Sequence, residues 1–156
     1  MSSPNGSTIS GLGLTARLRL VVADDHPRLL EEIRDLLNCE FDVVQAVGGG
    51  LELVKAAERI RPDAVVSDIS MPGLNGIEAG QRILEGGTCG AVLLLTMHDD
   101  PQLIARAMEV GIRGYILKVD AAEELIEGVR AVNRGETYLS RRIRAAAISE
   151  IHQRSL

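Results

Sequence analysis

No stretch of this 156-residue chain offers the ~18 consecutive apolar residues of a membrane-spanning helix. The first fifteen residues also lack the basic start and apolar block of a secretory signal. A soluble, cytoplasmic protein is therefore expected. Cysteine is scarce: Cys39 and Cys89 stand far apart, with no Cys-x-x-Cys spacing and no histidine nearby in sequence. That argues against a metal or redox pair and for two buried, reduced thiols. Positive charge is short too, with 17 Lys and Arg against 22 Asp and Glu and a net charge of -5. A large nucleic-acid footprint collects Lys and Arg on one face, so any contact with DNA would need another part. A glycine-rich phosphate loop is missing after the first apolar run, where the turn reads Asp24-Asp25-His26-Pro27.

What the chain does have is a regular alternation of short apolar runs and amphipathic stretches. Residues 1–15, rich in Ser, Gly, Thr and Asn, cannot bury enough surface to offset ordering and read as a flexible lead. LRLVVA from Leu18 is a strand, and Pro27 suits the first turn of the helix that follows, with Leu29, Leu30, Ile33, Leu36 and Leu37 on one stripe. Phe41–Val47, Ala64–Val66, Ala91–Leu95 and Tyr115–Leu117 repeat the strand signal. Between them fall helical stripes: Leu51, Leu53, Val54, Ala57 and Ile60, then a helix over about 75–85, then Leu103, Ile104, Ala107 and Met108. A last helix over roughly 121–134 turns Leu125, Ile126, Val129 and Val132 inward. Nearly continuous apolar strands separated by helices predict one domain, a parallel five-stranded sheet covered on both faces: a doubly wound (βα)5 α/β fold.

In such sheets ligands sit at the carboxyl ends of the strands. Asp24-Asp25, Asp68, Thr96 and Lys118 each fall at such an end. Singly each has an ordinary explanation: a helix cap, a turn aspartate, a strand-end threonine, a solvated lysine. Jointly they place three carboxylates, a hydroxyl and an ammonium in one crevice. Three carboxylates that close repel one another and require cations. Lys118 and a Mg²⁺ ion would balance their formal charge, and Mg²⁺ prefers one or two carboxylates, retained waters and phosphate oxygens over a full protein cage. The implied substrate is a phosphoryl group, and Asp68, on the middle strand, is the best acceptor. Thr96 would donate to one phosphoryl oxygen, Lys118 would pair with another, and a backbone carbonyl near Ser70 could complete the metal shell.

The segments VVADDHP, DISMPGLNG, LLLTMHDD and GYILKVD, in this order, resemble the receiver domain of bacterial two-component response regulators, from about Arg17 to Gly135. The resemblance implies the receiver strand order 2-1-3-4-5, shared with flavodoxin-like folds, and Asp68 as phosphoacceptor. It implies Mg²⁺ held directly by Asp25, by Asp24 directly or through water, by Asp68, and by the Ser70 carbonyl. Thr96 and Lys118 become the switch hydroxyl and the phosphate-pairing lysine. Tyr115 matches the aromatic switch, whose ring moves inward as the threonine reorients; its ordinary alternative is a half-buried strand tyrosine. Many receivers carry proline after the lysine, often cis, where this chain has Val119, and a trans bond is expected there. His98 is placed at the mouth of the site, or else is an exposed loop histidine.

ADDHP, TMHDD and RGETYLS resemble the NarL/FixJ type, in which a helix-turn-helix DNA-binding domain follows the receiver. The expected organisation is a lead (1–15), a receiver domain (16–136) and a linker helix (137–156), with Ile143, Ala147 and Ile151 on one face, towards an effector absent from this chain. The resemblance implies a histidine kinase as partner, a homodimer on phosphorylation, DNA contact only through the effector, and a phosphoacceptor switch rather than an enzyme. A stand-alone adaptor or phosphate sink is the alternative. A haloacid-dehalogenase-like phosphatase is disfavoured because residue 70 is Ser, so its Asp-x-Asp pair is missing.

Overall fold

The computed structural model describes residues 17–146. The apolar runs form strands β1 (Arg19–Ala23), β2 (Asp42–Val47), β3 (Ala64–Asp68), β4 (Val92–Thr96) and β5 (Gly114–Leu117). Between them stand helices α1 (Pro27–Asn38), α2 (Gly50–Ile60), α3 (Gly76–Glu85) and α4 (Pro101–Glu109), with α5 (Ala121–Asn133) after β5. A two-residue strand β6 (Tyr138–Leu139) follows, and the order across the all-parallel sheet is β2-β1-β3-β4-β5-β6. The expected 2-1-3-4-5 core is present, and β6 adds an unforeseen sixth strand. Two residues are too few to show a period in sequence.

Strand residues alternate between two apolar layers. Val21, Ala23, Val65, Val92, Leu94 and Tyr115 pack with residues of α2, α3 and α4. Leu20, Val22, Val66, Leu93, Leu95 and Ile116 pack with Ile33 and Leu37 of α1 and with Leu125, Val129 and Val132 of α5. The central strands are buried on both faces and β2, at the edge, is not. Each fully buried Leu, Val or Ile contributes on the order of 2 kcal/mol, so these two layers dominate the stability.

Local chemistry fixes the helix ends. Pro27 and Pro101 occupy first-turn positions, and Asn75 and Glu78 form a reciprocal capping box at α3. α2 ends at Arg61 with a left-handed φ of 50°, and the adjacent Pro62 prevents continuation. No peptide bond among the described residues is cis, so Lys118–Val119 is trans as expected.

Three expectations about burial need correction. Leu51 and Met108, read as stripe residues, are 49% and 47% exposed. Leu51 is only the second residue of α2 and Met108 stands near the end of α4, where the layer no longer covers the helix. Cys39 is exposed rather than buried, because it caps the C-terminus of α1 beyond the packed face; Cys89 is buried as expected. The expected lead (1–15) lies outside the described residues. Of the expected linker helix, β6 and a helical stretch over 141–146 are described, while Ala147 and Ile151 lie outside. Ile143, read as part of one apolar helix face, is fully buried in the same layer as Tyr115, Leu117 and Ile104.

Candidate functional site

The chain leaves β1 for β2 on one side and returns across it to β3, so the strand order reverses between β1 and β3, where a crevice opens at the carboxyl ends. Asp24 and Asp25 follow β1 and Asp68 ends β3 at this point. Thr96 ends β4, and Lys118 opens a 3-10 turn over Lys118–Asp120 directly after β5.

Lys118 Nζ lies 3.0 Å from Asp68 Oδ2 and 3.2 Å from Asp24 Oδ2. All three side chains are nearly or wholly buried, so the ammonium compensates two carboxylates that water does not screen. Burial pushes the Asp68 carboxyl above the ordinary carboxylate range, the Lys118 hydrogen bond and charge oppose this, the Asp24 charge adds to it, and the Ser70 N–H bond opposes it; the net direction is up. One lysine therefore does not fully neutralise the cluster.

The loops hold these groups by short-range bonds. The His26 backbone N–H donates to Asp24 Oδ1 at 2.9 Å, and Ser70 N–H donates to Asp68 Oδ1 at 3.3 Å. The loop after β3 folds back so closely that a Cβ on Gly76 would lie 2.2 Å from the Asp68 carbonyl oxygen. Only glycine fits there, and it seats the start of α3 against the residue that ends β3.

Asp24, Asp25, His26 and Asp68 each bring one ligand-type atom to within 4.8 Å of the others. Among the described residues Asp25 Oδ1 is shielded from water and accepts no hydrogen bond, although His26 Nδ1 stands 3.1 Å away. A shielded carboxylate oxygen with no directed donor, in a cluster carrying surplus negative charge, fits a hard divalent cation such as Mg²⁺.

The remaining expected residues are arranged differently. Thr96 Oγ1 donates to the His98 carbonyl at 3.0 Å and accepts from His98 N–H at 3.1 Å, so its hydroxyl is engaged within its own loop. Tyr115 is 1% exposed, its O–H donates to the Ile112 carbonyl, and burial pushes its hydroxyl well up. Its ring is thus already inside, where the resemblance expected an inward movement and the ordinary alternative a half-buried residue. His98 is exposed on a groove shared with Met97, Asp99, Leu117, Val119 and Arg142.

Sequence reasoning missed two groups. His26 reaches the carboxylates, a contact foreshadowed only by its place next to Asp24-Asp25. Ser140, wholly buried, donates its N–H to Tyr115 O at 2.9 Å and accepts from Leu117 N–H through Oγ at 3.1 Å, tying the chain after α5 to the strand that leads into Lys118. Nothing in a lone serine announces such a bond.

Residues 20–130 match the response regulator receiver domain. The chain is 34% identical over 136 residues to the oxygen regulatory protein NreC of Staphylococcus carnosus, covering 85% of this chain and 63% of the relative. It is 32% identical over 136 residues to the transcriptional regulatory protein DegU of Brevibacillus brevis, covering 86% and 58%. The chain thus spans about three fifths of the length of these relatives. Among solved structures, a two-component response regulator of the LuxR family from Aurantimonas sp. SI85-9A1 superposes with a TM-score of 0.80 and 31% identity, covering 88% of this chain and 99% of that one. The signal receiver domain of the response regulator NarL from Mycobacterium tuberculosis gives 0.73 and 27%, covering 77% and 98%. The parallel sheet, the acidic crevice and these relatives agree: the chain belongs to the response regulator receiver domain family and is a two-component receiver of the NarL/LuxR type, a switch rather than a typical enzyme.

Proposed function

We propose that Asp68 accepts a phosphoryl group from the phosphohistidine of a histidine kinase and that the resulting charge switches the α4–β5 face. The observation that carries this reading is Lys118 Nζ, held 3.0 Å from Asp68 and 3.2 Å from Asp24. In the transfer an Asp68 carboxylate oxygen attacks phosphorus, the phosphorus–nitrogen bond breaks, and its electron pair returns to the imidazole. Lys118 pairs with the added charge. Asp24, Asp25, Asp68 and the Ser70 carbonyl would hold Mg²⁺, which when bound supplies electrostatic stabilisation of the transferring phosphoryl oxygens. Thr96 then exchanges its bond to the His98 carbonyl for one to a phosphoryl oxygen, which releases the loop leading into α4. Tyr115, buried in the same apolar layer as Ile104 of α4, is the packing element through which that release reaches the face.

With a helix-turn-helix effector joined to the receiver, the output would be DNA binding, with homodimerisation on phosphorylation. The reading rests on relatives that are longer than this chain, one of them named a transcriptional regulatory protein. The testing experiment is intact mass after incubation with acetyl phosphate and Mg²⁺. One hydroxylamine-labile phosphoryl adduct is expected in the wild type, with none in Asp68→Ala or in EDTA. Absence of the adduct in a folded, metal-loaded wild type would overturn the proposal.

A further inference from the structure

We propose that His26 is a direct ligand of the cation in the acidic crevice, through Nδ1, so that the site selects Mn²⁺ over Mg²⁺. The inference rests on the reading that the crevice holds a divalent cation, and it concerns a residue outside the set of oxygen ligands named above.

The geometry of His26 carries it. Nδ1 stands 3.2 Å from Asp24 Oδ1 and 3.1 Å from Asp25 Oδ1. In an octahedral shell with ligands about 2.1 Å from the metal, adjacent ligand atoms lie about 3.0 Å apart, the radius times the square root of two. The two distances therefore match two edges of one coordination shell. Asp25 Oδ1 faces Nδ1 at that separation yet takes no hydrogen bond from it. Nδ1 is also within hydrogen-bond reach of Asp24 Oδ1, and a cation entering between the three atoms takes the place of that contact. With the ring proton on Nε2, Nδ1 presents a lone pair to the same point as the carboxylate oxygens.

The backbone enforces this placement. His26 caps α1 in an extended conformation, with φ of -102° and ψ of 107°, and its N–H donates to Asp24 Oδ1 at 2.9 Å, while Pro27 locks the first turn behind it. The ring does not serve the core, since its side chain is 67% exposed. Lys118 takes the other oxygen of Asp24, Oδ2, so its ion pair leaves the Oδ1 side to the histidine.

The chemistry of the donor set decides the ion. Oxygen donors alone suit Mg²⁺, Ca²⁺ and Mn²⁺, whereas an imidazole favours first-row transition cations, so adding one imidazole to a carboxylate-rich set raises the affinity for Mn²⁺ relative to Mg²⁺.

The probe is Mn²⁺ itself, added to the full chain free of any histidine tag at mildly alkaline pH and followed by pulsed electron paramagnetic resonance. Wild type and His98→Ala should show modulation from a directly bound ¹⁴N, and His26→Ala and the ring-preserving His26→Phe should not. Mn²⁺ affinity should fall about tenfold in His26→Ala, with Mg²⁺ affinity changed less than about twofold. Bound Mn²⁺ without ¹⁴N coupling in the wild type, or coupling that survives in His26→Ala, would overturn the inference and leave the cation reading standing. If the spectrum of free Mn²⁺ is unchanged by the protein, the cation reading fails as well. Because the ring is largely exposed, both variants should fold, which circular dichroism checks.

Discussion

Replacing Lys118 by methionine keeps the length and apolar stem of the side chain and removes its charge. In the wild type Nζ faces Asp68 at 3.0 Å and Asp24 at 3.2 Å, with the lysine side chain only 9% exposed. Removing one partner of a buried charge pair costs about 3–5 kcal/mol, because the other charge is left uncompensated. Here the lower end applies, about 3 kcal/mol, since the crevice opens to water and a carboxylate can take up a proton. For a chain of this size that is a fall in Tm of about 9 °C, at about 3 °C per kcal/mol.

The pH dependence follows from the Asp68 shift. Its carboxyl is raised by burial, and Lys118 opposes that rise, so the variant's carboxyl moves higher still. A carboxyl whose folded pKa lies above its unfolded value holds a proton in the folded state that the unfolded chain has released. Stability then falls as pH rises through the folded pKa and recovers as pH drops towards the unfolded value. Thermal melts of wild type and Lys118→Met in EDTA should differ by about 9 °C near pH 7 and by clearly less near pH 5. Saturating Mg²⁺ at neutral pH should recover most of the loss, because a dication replaces the missing positive charge. An equal loss at both pH values and with or without the metal would mean that the loss comes from how methionine packs in the crevice and not from the missing charge, and would refute the charge argument.

Thr96→Ala should still accept phosphate from acetyl phosphate but lose the chemical-shift response of α4 and β5, read by NMR with and without a phosphoryl mimic; full response would rule out the hydroxyl as the coupling. Gly76→Ala sets a Cβ 2.2 Å from the Asp68 carbonyl oxygen, backbone that cannot swing away, so a destabilisation of about 3 kcal/mol in urea unfolding is expected, together with slower phosphorylation as the end of β3 shifts. Ser140→Ala leaves the buried Leu117 N–H without its acceptor, for about 1–3 kcal/mol, and should speed hydrogen exchange at Leu117 above that of the sheet centre. Unchanged exchange there would show that water takes over the bond.

The parts of this molecule legible in its sequence share a physical origin. A strand buried on both faces must be apolar along its length, so five such runs announced five strands, and in a parallel sheet their carboxyl ends converge on one edge. Asp24, Asp25, Asp68 and Lys118 could be assembled because each directly borders a strand whose direction the topology fixes. Where a residue's role depends on side-chain rotation or on chain far away in sequence, that logic has no purchase. Thr96 stands where expected, yet its hydroxyl bonds to the His98 loop. Tyr115 shares its apolar layer with Ile143 and Leu139, from a segment whose two-residue strand shows no period.

That same segment bears on how the switch is read. Ser140 bonds the backbone of β5 at Tyr115 and at Leu117, one residue before Lys118, and Arg142 Nε stands 3.4 Å from the buried Asp120 Oδ1, two residues after it. Lys118 is thus bracketed by contacts from residues 140–142 while its own ammonium holds Asp24 and Asp68. A shift of Lys118 towards an added phosphoryl charge would load those contacts directly, through backbone hydrogen bonds and one ion pair, with no need for the Tyr115 ring to swing. On this geometry Ser140→Ala should blunt the effect of phosphorylation on residues 138–146 while leaving the phosphoryl adduct on Asp68 intact. If both α4 and residues 138–146 respond to a phosphoryl mimic as in the wild type, the route runs through Thr96 and the α4 loop alone.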